Sequence, residues 1–228
     1  MRKALVAAIA AASALSFGVG HAAPIFASTV DWFDNGTNPG GARADTDNAT
    51  GAPDQTNETD INFFSLGLST EDAGFAYAFF GFDEAPIQGS DATVFEVTYG
   101  CGSVVGGGCA SHPEAVNVYY GSTLPGTLAK VEIADVEIFT KDTTDSGFGF
   151  TLAGTVKNGE DETTTLTISE EFSYILLVDV SRDVFSGTNS QDGFDVDAIV
   201  LNPVPVPGAA LLMGSVLVAG AARHRRKS

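Results

Sequence analysis

Through the middle of the chain, short runs recur in which apolar and polar positions alternate, or in which nearly every position is apolar. They cover residues 61–68, 74–82, 93–99, 115–120, 128–140, 147–152, 163–168, 174–180 and 196–201, and the longest of them, 128–140, reads as two elements. All are rich in Val, Ile, Phe and Tyr, and clusters of Gly, Asp, Asn and Pro separate them at the roughly 8 to 12 residue spacing of sandwich folds. Helical patterning of any length is confined to the two ends of the chain. The pattern predicts an all-β sandwich over residues 23–202, flanked by two apolar segments of different character.

The first flank, residues 1–22, carries Arg2 and Lys3, then an apolar stretch to Val19, then Gly20, His21 and Ala22. That order is the signature of a secretory signal peptide. Cleavage is expected after Ala22, because a cut after Ala23 would put Pro24 in the following position; retention as an N-terminal anchor is the alternative. The second flank, 203–228, begins with Pro203, Val204, Pro205, Val206, Pro207 and Gly208, continues without a charge to Ala222, and ends in Arg223, Arg225, Arg226 and Lys227. Prolines lack an N–H and push their neighbours out of the α region, so the motif should be extended and accessible. The apolar run 206–222 lies at the lower edge of the roughly 17 to 25 residues that span a bilayer as a helix. The basic end would stay on the cytoplasmic side. An ordinary C-terminal anchor accounts for the same features.

Composition narrows the function. The 228 residues carry 11 basic and 29 acidic side chains, a formal charge of -18. Two of the basic residues lie in the leader and four in the tail, whereas every acidic residue lies between them, so the middle holds five basic residues against 29 acidic ones. Such a surface repels phosphate backbones, which argues against a nucleic-acid partner, and it attracts divalent cations or simply keeps an exported protein soluble. Cys101 and Cys109, the two cysteines, sit in CGSVVGGGC. A short glycine-rich loop closes without strain and an exported chain meets oxidising conditions, so a disulfide is expected. The three histidines are scattered, and neither a nucleophile elbow, a His-containing metal motif nor a phosphate loop occurs. A carboxylate pair for glycoside hydrolysis could be drawn almost anywhere, so that pattern discriminates nothing. The chain reads as a non-enzyme, with a secreted hydrolase as the least favoured alternative.

Residues 31–60 are rich in Asp, Asn, Gly and Thr and lack periodicity, which predicts a long loop. Long loops in compact domains tend to be functional. Asp45, Asp47 and Asn48 offer hard oxygen ligands there, without the spacing of an EF-hand. The 16 phenylalanines suit an aromatic core, with Phe63 or Phe64, Phe80, Phe82 and Phe95 as inward-facing packing. Trp32, Tyr119 and Tyr120 could instead stack on sugar rings, and Trp32, as a loop residue, is the candidate ligand contact. In the run DGFDVDAI, strand alternation puts Asp195 and Asp197 on one face and Phe194, Val196 and Ala198 on the other. Carboxylates side by side repel unless a cation or donors sit between them.

Two resemblances follow from these motifs. The tail, with VPVPGA ahead of the apolar run and the basic end, resembles the PEP-CTERM sorting signals of Gram-negative bacteria, in the variant with a VPLPA-like motif. Val206 and Gly208 are its departures from that pattern. The resemblance implies signal peptidase at the front, passage through the inner membrane, and processing by an exosortase-type protease. It further implies delivery to the cell surface or extracellular matrix in association with exopolysaccharide or biofilm. The ordered pieces GAPD, FFSLGLS, TVFEVTYG, EAVNVYYGS, YILLVDVS and DGFDVDAIVL resemble the discoidin-like, galactose-binding-like jelly roll. That likeness implies a jelly-roll β-sandwich in which a terminal acidic strand and an N-terminal loop hold a structural calcium. The ligands would come from Asp45, Asp47, Asn48, Asp195 and Asp197. A calcium-stabilised carbohydrate-binding module is the alternative to a purely structural or adhesive role.

Overall fold

The computed structural model describes residues 23–37, 40–54, 60–70, 75–97, 112–124, 149–158 and 164–203, with residues 32–35 by backbone alone. The leader, the sorting motif from Val204 with its span and basic end, the Cys101–Cys109 loop and the expected strands within 128–140 lie outside the described residues. Among the described residues no helix is long and apolar enough to cross a membrane.

Among the described residues ten strands carry the fold: β1 Ile25–Phe26, β2 Thr29–Asn35, β3 Phe64–Ser65, β4 Ala76–Gly81, β5 Ile87–Glu96, β6 Ala115–Gly121, β7 Thr151–Lys157, β8 Thr165–Phe172, β9 Tyr174–Asp179 and β10 Asp195–Pro203. Two 3-10 turns, Gly41–Ala44 and Thr46–Ala49, precede β3, and one helical turn, α1 Ser181–Val184, follows β9. The strands form two antiparallel sheets, ordered β1-β10-β5-β8, with β3 also on β10, and β2-β4-β9-β6-β7. The architecture is an all-β sandwich, as the alternating runs predict.

The core lies between the sheets. Val94, Ile168, Val196, Ile199 and Leu201 of the first sheet, with Phe194 just before β10, meet Ala78, Phe80, Val116, Val118, Ile175 and Leu177 of the second. Full burial of side chains of this size contributes about 1.5 to 3 kcal/mol each. The central strands of the second sheet, β4, β9 and β6, are buried on both faces. Its outer side carries Tyr77, Phe79, Tyr119, Leu176 and Val178 under Phe150, whose ring meets Phe79 edge-on at 5.3 Å. This double burial explains why β4 and β9 read as unbroken apolar runs. β8, by contrast, is an edge strand among the described residues, and its exposed positions include Thr165, Thr167, Glu170 and Glu171. Charged positions on an edge discourage pairing with a second chain.

Several sequence expectations are corrected. Residues 31–35 are not loop: TVDWFDN alternates and pairs along β4 as β2, with a register shift between Asp31 and Phe33. Trp32 is therefore a strand residue at an irregularity. β5 begins at Ile87, six positions before the apolar run, because its pairing with β8 and β10 tolerates the polar stretch Gln88 to Asp91. Phe95 is half-buried rather than inward-facing, since Ala92 and Val94 take the core side of β5. Phe63, Phe64, Phe80 and Phe82 are buried as expected. A register shift between Val196 and Ala198 breaks the alternation of β10, so Phe194 and Val196 face the core before it and Ile199 and Leu201 after it. Ala198 does not share the face expected for it.

Candidate functional site: an acidic corner where the sheets meet

Antiparallel pairing brings particular strand ends together. Val196 at the start of β10 pairs with Glu96 at the end of β5, and Val116 at the start of β6 pairs with Asp179 at the end of β9. Glu114 stands one residue before β6 and Asp195 opens β10. Both sheets thus place carboxylates at the same end of the sandwich. Glu96, Glu114 and Asp195 are each 2 % exposed and Asp179 1 %.

Burial on this scale disfavours charge. Desolvation pushes the Glu114 carboxyl well above the usual range, and the charges of Asp195 and Glu96 push it further, while a hydrogen bond from Ser190 opposes them. Asp195 is raised in the same way, chiefly by burial and also by Glu96, against a hydrogen bond from the Ser65 hydroxyl and the more distant charge of Arg43. Asp179 is raised to about 6 by burial. It keeps more charge because it is better supplied with donors: the Ser181 hydroxyl at 2.5 Å on Oδ1 and the Ser69 amide at 2.8 Å on Oδ2.

Glycines and serines let the corner close. Gly67 N donates to Asp192 O at 2.8 Å and Leu66 N to Phe194 O at 2.9 Å, drawing the segment after β3 against the entry to β10. Gly193, at φ +69°, has Gly67 O 1.9 Å from where a Cβ would stand. Only glycine fits a backbone approach that close. Gly193 N donates to Ser190 Oγ at 3.1 Å, which fixes the hydroxyl that serves Glu114. At the rim, Arg43 pairs with Asp192 and lies over the Phe63 ring, 5.3 Å from its centroid.

The expected ligand residues are distributed differently. The turn Thr46–Ala49 packs against β10, so loop and terminal strand are neighbours. Asp45 and Asp47, however, are exposed, and Asp45 Oδ1 accepts the Asp47 amide at 3.1 Å to cap its own turn. The Asn48 amide donates to Ala42 O at 3.0 Å and Phe63 O at 3.4 Å. Asp197 is buried, with Oδ1 accepting the Asp54 amide at 3.3 Å, whereas Asp195 turns to Ser65 and Glu96. Among the described residues no three acidic, histidine or cysteine side chains stand at the spacing of a finished metal site. The aromatic platform is also divided: Tyr119 is buried on the outer side of the second sheet, while Tyr120 packs on the opposite side with Phe172, 6.3 Å between ring centroids.

Sequence reasoning missed Glu96, Glu114 and Asp179 as members of one site. The signal was present in TVFEVTYG, EAVNVYYGS and YILLVDVS, where a single acid sits within or against an apolar strand run and must share its burial. No family model and no curated protein matches the chain.

Proposed function

We propose that the protein is an exported, non-enzymatic surface or matrix component of a Gram-negative bacterium. In this reading its sandwich travels as cargo between a signal peptide and an exosortase-type sorting tail. The observation that carries the reading is the ordered tail: the motif Pro203 to Gly208, an uncharged run, then Arg223, Arg225, Arg226 and Lys227. The leader would be removed by signal peptidase, and the tail would hold the chain in the inner membrane until the motif is processed. The mature domain would then join the extracellular polymer. Strand order supports the finer reading of the sandwich as a jelly roll: β3-β10-β5-β8 opposite β4-β9-β6-β7 is the arrangement that two nested Greek keys generate. Deleting Val204–Ser228 should leave the protein unprocessed at its C-terminus and remove it from the surface fraction. Surface delivery of the truncated protein, or mature protein whose mass includes both flanks, overturns the proposal.

The second reading, a carbohydrate-binding module, draws support from the same strand order. Separation of Tyr119 from Tyr120 deprives it of the aromatic platform on which it would most naturally rest. A glycan array probed with and without calcium tests it, since a purely structural component gives no saturable signal.

A further inference from the structure

The motif proposed for sorting has no spacer in front of it. Pro203, its first residue, is also the last residue of β10, and the uncharged run begins at Val206. Leu201 is fully buried in the core. From Leu201 to Val206 is a step of five residues, a reach of at most roughly 18 Å when fully extended. Both edges of β10 are taken at this end. On one side Leu201 pairs with Ala92, Asn202 with Asp91 and Pro203 with Ser90 of β5, and on the other β1 lies along β10 as far as Leu201, opposite Ile25. The β5 residues are themselves held: Ser90 is buried, and the Thr167 hydroxyl of β8 donates to Asp91 Oδ1 at 2.6 Å. The end of β10 is therefore a working part of the sheet.

A protease that takes its substrate as an extended strand forms main-chain hydrogen bonds along one edge of that strand. Those contacts precede the chemistry, whether the acyl side of the broken peptide bond then passes to water or to an acceptor amine while the amine side leaves with the tail. Main-chain groups already paired in the ladder cannot serve an enzyme at the same time. Opening costs little at the tip of a strand and much more once a core residue has to leave, so it is confined to Asn202 and Pro203, ahead of the anchor at Leu201. We propose that the folded sandwich restrains its own sorting: Asn202 and Pro203 must part from β5 before an exosortase-type protease can seat the motif. The domain then sets the rate at which its tail is removed, and folded cargo stays longer in the membrane than unfolded chain would. This inference rests on the sorting reading and adds to it a contact that withholds the substrate segment.

The test is a pulse-chase of the full chain in its own bacterial host, with loss of the C-terminal segment followed by intact mass. A flexible spacer of about six glycine and serine residues between Pro203 and Val204 frees the motif without touching the ladder. Processing should become about 10-fold faster, while the mature domain melts as the parent's does. Asp91→Gly loosens the rung opposite Asn202 from the β5 side, outside the segment an enzyme would read. It should speed processing of the parent by about 3-fold and leave the spacer variant unchanged. Asp91→Thr, which favours a strand, should slow the parent by a similar factor, and it decides the matter if the glycine variant fails to fold. Equal rates for the parent and the spacer variant overturn the proposal and leave the sorting reading standing. A faster spacer variant with no response to either change at Asp91 also overturns it, because the sandwich would then hinder the enzyme by bulk alone. A parent whose C-terminus is never removed takes down the sorting reading and this inference with it.

Discussion

The acids of the 41–54 segment and those of the corner are the same chemical groups placed in opposite surroundings. Asp45 and Asp47 face water, and the one structural task visible for them is local: Asp45 caps a 3-10 turn. Glu96, Glu114, Asp179 and Asp195 are buried where two sheets meet, and their burial raises three of them above the ordinary carboxylate range. Density of acidic residues in the sequence therefore points to the wrong place. A carboxylate acquires unusual chemistry from the water it loses, and that loss occurs where the chain is apolar.

The sharpest way to break the comparison is to stop the corner from closing. Gly193→Ala puts a methyl group against Gly67 O and forces a residue with a Cβ to φ +69°. It should cost about 3 to 5 kcal/mol, read as a lowered denaturant midpoint, whereas Gly51→Ala, at φ +85° with open space around the added carbon, should cost less than half as much. A loss no greater than that of Gly51→Ala would mean that the close approach contributes nothing.

The next effect is a pH dependence. The folded state holds the Asp179 proton more tightly than the unfolded chain does, since burial lifts its pKa from the ordinary aspartate value to about 6. Its contribution to stability is therefore greatest below the unfolded value and falls as pH rises through about 6. The difference amounts to roughly 3 kcal/mol between acid and neutral conditions. Asp179→Asn should flatten that part of the stability profile, at the cost of one of the amide or hydroxyl contacts to Ser69 and Ser181. An unchanged slope between pH 4 and 7 would remove Asp179 from the account.

Ser65→Ala removes the hydroxyl that donates to Asp195 and should destabilise by about 1 to 3 kcal/mol. The loss should grow as pH rises and Asp195 takes up charge, because the missing donor supports the charged form. A loss independent of pH would assign Ser65 to packing alone. The smallest effect belongs to the exposed side: Asp45→Ala deletes a cap and should cost no more than about 1 kcal/mol. If it cost as much as Ser65→Ala, the contrast between the two regions would fail.

Much of the fold is legible from local pattern. β4, β6, β8, β9 and β10 all lie within or next to an apolar or alternating run, because strand periodicity is a local property that burial imposes on every second residue. β2 was hidden because Asp31, Asp34 and Asn35 give it the composition of a loop, and pairing with β4 outweighs that composition. The parity of β10 was hidden as well, since one extra residue at Val196 to Ala198 switches its faces without a trace in the sequence. The corner was visible only as isolated acids in apolar runs. Nothing local says that Ser65 and Asp195, 130 positions apart, share a hydrogen bond.

By itself, then, the chain's alphabet of alternating and unbroken apolar runs determined that this protein is a β-sandwich, and the uneven placement of its charges determined that the middle is acidic and the flanks basic. Which acids lose their water, and which meet one another, was decided by sheet order and register. Those depend on contacts between distant segments, and no window along the sequence contains them.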